Sequence, residues 1–299
     1  MMTAVFSNSG VTDDRRRELL YQGQVFVYAA SPATTELVGF ARELIHEAFG
    51  DLDPETAQHE MPVEDFAKLL AGLKPRFIHH PRCKELLPAV LAERGCDLEQ
   101  TYFDVPRLRT STSDDYLVNG ISYAFHPHRD CWYSAPFCQV NWWIPVFEVV
   151  PENVMAFHPR YFDQPVRNGS GSYDYAEWNR TSRLTAAGHI RSDTRVQPRP
   201  EEPVELEPQV RVVPEAGGTL IFSGAQLHST VPNTSGRTRY SIDFRTVHLG
   251  DARARRGAPN VDARCAGTTL RDFVRCADLA AMPEDLALAY EAAAPAGAR

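Results

Sequence analysis

The chain has 299 residues, 43% hydrophobic and 23% charged, which is enough apolar material for a sizeable core without disulfides. Its 31 Lys+Arg against 39 Asp+Glu give a net charge of −8, which argues against a general nucleic-acid partner or an anionic membrane surface. Six cysteines (Cys83, Cys96, Cys131, Cys138, Cys265 and Cys276) contain no CxxC pair. Without a disulfide framework, an apolar leader or a run near the roughly 20 residues of a membrane span, the expectation is a soluble cytoplasmic protein.

The first hundred residues read as mostly helical. After a strand in "QVFVYAA", the stretch "SPATTELVGFARELIHEAFGD" repeats Leu37, Phe40, Leu44, Ile45 and Phe49 at helical spacing, with Gly50 as a stop. "MPVEDFAKLLAGLK" does the same through Val63, Phe66, Leu69, Leu70 and Leu73. "CKELLPAVLAERG" predicts a third helix, bent at Pro88 and ended by Gly95. From about residue 101 the period becomes two. "TYFDVPRLRTSTS", "LVNGISYAFHPHRD", "FCQVNWWIPVFEV", "VELEPQVRVVP", "GTLIFSG" and "RTRYSIDFRTVHL" read as short strands between turn signals, the pattern of a sandwich or barrel. A polar segment, 152–203, interrupts them and reads as a functional lid. The tail, 266–294, returns to helix through "TTLRDFVRCADL" and "PEDLALAYEAAA". The whole, 1–299, reads as one domain: a helical part (31–96), a β-barrel core (101–250) and a helical tail.

The chemistry concentrates in "AFHPHRDCWYSAPFCQVNWWIPVF", where His126, His128 and Asp130 alternate within an aromatic run. Burying imidazoles with a carboxylate is costly unless something neutralises them, and a metal ion does so. On a strand, residues two apart face the same way, so His128 and Asp130 would point together. His228, just after "GTLIFSG", is the best candidate for a third ligand, completing a two-His-one-carboxylate triad suited to Fe(II). An isolated His-x-Asp arises often by chance. Downstream, however, "RTRYSIDFR" sets Tyr240, Ile242 and Phe244 on one face and Arg239, Ser241, Asp243 and Arg245 on the other. Such a strand would be half exposed, or would offer a guanidinium to a carboxylate from a barrel wall.

With His128-Arg129-Asp130, His228 and Arg239 in this order, and the phrase "HSTVPNTSGRTR", residues 100–250 resemble the Fe(II)/2-oxoglutarate-dependent dioxygenase superfamily, in particular its phytanoyl-CoA hydroxylase-like branch. The resemblance implies a mainly β fold with flanking helices, a double-stranded β-helix (jelly roll, cupin-like). It implies iron on His128, Asp130 and His228, and 2-oxoglutarate held by Arg239, with Thr230 and Ser241 adding hydroxyls. The 152–203 insertion would account for the long step between the two histidines. The resemblance places Trp143 inside the barrel against 2-oxoglutarate, near Gln139 and Asn141, and Trp142 on the other face under the helices. The implied activity is an O2-consuming hydroxylase, since an intact Asp130 argues for hydroxylation or desaturation.

His126 is open to three readings: a ligand, a group supporting the ligands, or a substrate contact; the supporting role is favoured. Candidate substrate contacts are Arg107, Arg109, Tyr123, Trp132 and Tyr133, with Tyr173, Tyr175 and Trp178 from the insertion. Arginine with aromatics suggests a small polar or anionic metabolite, such as an amino acid, a sugar acid or a biosynthetic intermediate. Two other readings stand beside this one: a non-catalytic metal-binding jelly roll serving as sensor or scaffold, and a cupin-type metalloenzyme that makes no use of 2-oxoglutarate.

Overall fold

The computed structural model describes residues 3–293. The N-terminal part runs β1 (Val5–Ser7), α1 (Asp13–Tyr21), β2 (Val25–Tyr28), α2 (Pro32–Phe49), α3 (Val63–Ile78) and α4 (Pro81–Glu93). Helix α2 starts where expected because Ser31 and Thr34 cap each other's backbone N–H groups around Pro32. It stops at Gly50, whose φ of 62° ends the helical path. Helix α3 buries Phe66, Leu70, Leu73 and Phe77 at helical spacing, and α4 carries Pro88 inside it. Helix α1 was not legible as an apolar stripe: its buried face includes Arg16 and Arg17. Their charges are met by Asp13 and by Asp251 from the far end of the chain.

Next come β3 (Thr101–Phe103), β4 (Arg107–Ser111), β5 (Val140–Pro145), β6 (Met155–Phe157), α5 (Tyr175–Thr181) and β7 (Val210–Arg211). The chain continues with β8 (Thr219–Ser223), β9 (His228–Thr230), β10 (Arg239–His248), α6 (Leu249–Arg253), β11 (Val274–Arg275) and α7 (Glu284–Ala292). The large sheet has the order β1-β2-β8-β5-β10-β3-β11, with β4 also paired to β10; a smaller sheet has the order β7-β6-β9. Among the described strands, β1 and β2 pair in parallel and the other ladders are antiparallel. The two sheets face one another across Val25, Trp143, Leu220 and Phe222 on one side and Phe157 on the other. The opposite face of the large sheet, with Trp142, Ile144, Ile221, Ile242 and Phe244, packs against α2, α3 and α4 in the main core. Trp142 therefore sits with the helices and Trp143 between the sheets, as expected.

Several expectations are corrected. The stretch before Asp130 is not a strand: it holds a short turn at Gly120–Ser122 and a single isolated rung at His128. The 152–203 segment is not separate from the sheets, because β6 lies in it and pairs with β9. The sheet also reaches outside 101–250, taking β1 and β2 from the N-terminal part and β11 from the tail. "TTLRDFVRCADL" forms one turn at Leu270–Asp272 and then β11, because β3 offers a free edge that Val274 and Arg275 pair with. The tail is helical only over α7, and residue 294 of the expected helix lies outside the described residues. Strands carry the layers, but helices hold more residues than strands, so "mainly β" describes the scaffold of the site and not the whole chain. Among the described residues no helix is long and apolar enough to cross a membrane.

Gly120 shows how the long segment is fastened. Its φ is 57°, and a Cβ there would collide with the carbonyls of Ala186 and His189. Gly120→Ala should lower stability by about 1–2 kcal/mol from the backbone alone and lift residues 183–195 from their seat. Limited proteolysis should show new cleavage in that stretch together with a lower melting temperature.

Candidate metal centre

His128 and His228 meet because their backbones exchange two hydrogen bonds, His128 N–H to His228 O at 2.9 Å and the reverse at 3.0 Å. This rung extends the small sheet. Asp130 then opens a tight 3-10 turn, Asp130–Tyr133, so it reaches the histidines by turning and not by strand alternation. Between the two, Arg129 points away into the protein, only 1% exposed. Its guanidinium donates to Asp262 Oδ2 (3.1 Å), Ala225 O (2.7 Å), Gln164 O (3.0 Å) and the carbonyl of Tyr161. Asp262 also accepts the Trp132 indole N–H at 2.7 Å and the Val166 N–H at 3.0 Å. Trp132, expected as a substrate contact, is therefore fully buried and part of this anchor.

One ligand atom from each of His128, Asp130 and His228 lies within 4.8 Å of the others. Asp130 Oδ1 is 3.6 Å from His128 Nε2 and 3.9 Å from His228 Nε2. Each imidazole donates its Nδ1–H to the carbonyl two residues before it, His126 O at 2.8 Å and Gln226 O at 2.9 Å. That fixes the tautomer and turns both Nε2 lone pairs toward Oδ1. Burial, with the neighbouring His128, pushes His228 down to about 4, so its ring is neutral at physiological pH and free to ligate.

Asp130 divides its two oxygens. Oδ2 accepts from Gln139 Nε2 at 2.9 Å and Asn141 Nδ2 at 2.8 Å, with Arg245 Nε 3.9 Å away, leaving Oδ1 to the histidines. Burial opposes its ionisation, but His128 and His228, which are protonated at the acid pH where a carboxyl titrates, together with the charge of Arg245, outweigh this and hold the carboxyl below its usual range. Gln139 and Asn141, expected beside a co-substrate, both donate to the Asp130 carboxylate. Gly224 lets the end of β8 pass close by: its backbone bonds to Gln139 and Cys131, and a Cβ there would press on Gln139 Nε2 at 3.2 Å.

Asn141 and Trp143 are successive residues on the inner face of β5, and the Arg239 guanidinium lies 5.5 Å over the Trp143 ring. Arg239 is buried; Nη1 donates to Asn153 O at 2.7 Å, but Nε has no partner and no acid pairs with it among the described residues. Burial pulls its pKa down to about 10 although Asp243 pulls the other way, the cost of a cation whose nearest acid is not in contact with it. Ser241, next on the same face, is fully buried with its hydroxyl equally unpartnered. The expected hydroxyl of Thr230 accepts from Phe125 N at 3.1 Å, so it fastens the chain just before His126.

His126 supports the ligands: its carbonyl orients His128, while its ring accepts from Tyr123 Oη at 3.0 Å and donates to Pro198 O at 2.7 Å. Burial and the nearby His128 lower its pKa to about 4, in keeping with that neutral role. Tyr133 stands edge-on to His128, ring centroids 5.6 Å apart, and donates to Pro198 O at 3.2 Å. The 152–203 segment thus meets His126 and Tyr133 through the Pro198 carbonyl, and through Phe157 it pairs with His228 itself. Tyr175 bonds Asp272 in the tail, and Trp178 packs on Tyr173 (5.9 Å) under Arg195 (5.5 Å). Neither has a ring contact to a triad histidine; Tyr173, 5.4 Å from Tyr133, is the inner ring of the insertion. Arg109 pairs with Asp243 at 2.7 Å, and Arg107 shares Asp104 with Arg245 at 2.7 and 2.6 Å. Asp262, Asp104, Lys74 and Phe125 were not singled out in the sequence; no local motif marks them, and only the fold brings them here.

No family model matches the chain, and no curated protein matches it. Among solved structures it is similar to EvdO2 from Micromonospora carbonacea var. aurantiaca complexed with 2-oxoglutarate, at 13% identity and a TM-score of 0.45, covering 80% of this chain and 92% of that one. It is also similar to the epimerase SnoN in complex with Fe3+, alpha ketoglutarate and nogalamycin RO (14% identity, TM-score 0.39, 79% and 85% covered). A third is SnoK, a non-heme alpha ketoglutarate dependent carbocyclase from nogalamycin biosynthesis (14% identity, TM-score 0.38, 86% and 95% covered). At such TM-scores the likeness assigns no activity to this chain.

The support of Asp130 yields a direct test. Gln139→Ala and Asn141→Ala should each weaken divalent-metal binding by roughly 10–100-fold, the usual cost of removing a group that orients a ligand. A Co(II) titration followed by visible absorption measures this, with far-UV circular dichroism showing that the fold is retained.

Proposed function

We propose that the chain is an Fe(II)- and 2-oxoglutarate-dependent oxygenase, of the phytanoyl-CoA hydroxylase-like branch, that hydroxylates a small polar metabolite. The observation that carries this reading is the buried Arg239, in contact with no acid among the described residues, with the unpartnered Ser241 hydroxyl beside it on β10; its guanidinium lies over Trp143, one inner-face position along β5 from Asn141, which holds Asp130. A buried guanidinium without an acid is expensive, and a fork with an adjacent hydroxyl is what a ligand carboxylate needs. A metal site with no carboxylate co-substrate would have no use for it.

The donor set fits the metal: two neutral imidazoles and one carboxylate oxygen are the ligands that non-haem Fe(II) takes in oxygenases, with positions left open. Bound iron with 2-oxoglutarate and O2 would supply an oxidant able to break a C–H bond, with succinate and CO2 as co-products. The rest falls to the protein. Gln139 and Asn141 keep Asp130 turned toward the histidines. Arg239 and Ser241 would hold the far carboxylate of 2-oxoglutarate, and the Trp143 ring under the guanidinium favours its charge and keeps water from it. The facing sheets, closed at one end by His128 and His228, are the arrangement that a jelly roll would present. Tyr133 and Tyr173, with the Pro198 carbonyl, support reading the insertion as a cover that limits wasteful oxidation.

Two variants test the reading. His228→Ala should abolish succinate formation and metal binding together. Arg239→Gln should keep the metal and raise the 2-oxoglutarate requirement by roughly 30-fold or more. That follows from about 2–5 kcal/mol for an unpaired buried carboxylate, at about 1.4 kcal/mol per decade. Succinate release, measured by NMR against 2-oxoglutarate concentration, gives both results. An unchanged requirement in Arg239→Gln would sink the co-substrate assignment.

A further inference from the structure

The inner wall carries more positive charge than its own acids and the co-substrate account for. Asp104 is shared by Arg107 and Arg245, Asp243 serves Arg109, and Lys74 makes no ion pair with an acid among the described residues. Lys74 reaches in from α3, buried, with only the carbonyl of Ile121 as acceptor. Burial first, and then the charge of Arg109, bring Lys74 down to about 7, with the more distant Asp243 opposing them. A 2-oxoglutarate carboxylate on Arg239 answers one of these cations and leaves Lys74 without an acid in contact and Arg107 and Arg245 with Asp104 between them.

The excess has an accessible outlet. Arg109 spends Nε and Nη2 on Asp243, at 2.7 and 3.5 Å, while its side chain stays 35% exposed. No hydrogen bond is made by Nη1 to a described residue. The same guanidinium lies 5.4 Å over the Phe125 ring, which in turn lies 5.0 Å from the His128 ring at a tilt of 31°. A half-exposed cation, an aromatic plate and a metal ligand therefore stand in sequence.

We propose that Arg109, backed by Lys74, is the anion subsite for the primary substrate, which carries a carboxylate and places its flat or apolar body on Phe125 beside the metal centre. This deepens the reading above and rests on it, since it takes Arg239 to be occupied by 2-oxoglutarate. The substrate class is an organic acid. Its anionic group sets orientation, and the carbon next to the Phe125–His128 edge is the one presented for oxidation.

Benzoate and benzamide are a matched probe pair, equal in shape and different in charge. Binding is read by saturation-transfer NMR on the full chain with Zn(II) and 2-oxoglutarate present, so that no turnover occurs. Benzoate should bind at least about tenfold tighter than benzamide, and Arg109→Gln should erase that preference, as expected for loss of a charge-assisted contact. Lys74→Met leaves the Arg109–Asp243 pair intact and should weaken benzoate several-fold, which keeps the test alive if Arg109→Gln does not fold. Equal binding of the two probes, no benzoate binding, or benzoate binding unchanged in both variants overturns the proposal. Titrating 2-oxoglutarate itself separates the two ideas. Its loss in Arg239→Gln but not in Arg109→Gln upholds the co-substrate site whatever benzoate does, while its indifference to Arg239→Gln rejects that site directly.

Discussion

The site depends on the burial of Arg129. A guanidinium inside a protein must find acceptors for its donors, and this one draws on Asp262, the carbonyl of Ala225 and those of Tyr161 and Gln164. Those groups belong to the stretch after α6, to the β8–β9 connection and to the long insertion. One side chain thus clamps three segments that are remote in sequence. Breaking a buried ion pair of this kind costs about 3–5 kcal/mol, so the direction of Arg129 is strongly fixed. Its neighbours in the chain, His128 and Asp130, are left with the opposite side, which is where His228 arrives.

From that constraint the two sheets take complementary parts. The small sheet, through the His128–His228 rung, supplies the nitrogen donors. The large sheet supplies the polar face that surrounds them: Asn141 on β5, and Arg239, Ser241, Asp243 and Arg245 along β10. The alternate residues of those same strands, Trp142, Ile144, Ile242 and Phe244, make the apolar face that seats α2, α3 and α4. A one-residue slip of β10 would exchange the two faces, so the helical packing that stabilises the fold also fixes which side chains look at the metal centre.

Much of this could be read in the sequence where the physics is local. The helices with capping residues and apolar spacing, α2, α3 and α4, stand where their pattern puts them. So do β5, β8 and β10, whose two faces differ in polarity. Other features were hidden because their determinants lie far away. Helix α1 is held by Arg16 and Arg17 meeting acids, not by an apolar stripe. "TTLRDFVRCADL" has helical spacing but yields to the free edge of β3. At the site, the ligand residues were legible from type and spacing. The reason His128 and Asp130 converge was not, because it is a turn and a buried arginine where alternation suggested a strand. Trp132 looked like a pocket aromatic until Asp262 gave its indole a buried partner, and Gln139 and Asn141 serve the carboxylate before they can serve any ligand.

Both imidazoles are oriented by the carbonyl two residues before them in their own chain segment. Such a bond is made as soon as the backbone takes its path, with no help from a bound ion. The pocket is therefore set in advance, and binding a cation orders little that was not already ordered. Occupancy and folding become separate variables: the ion can exchange with the surrounding pool while the scaffold keeps its shape. Which metal fills the cradle is then decided by supply and by donor chemistry, with stability having little say.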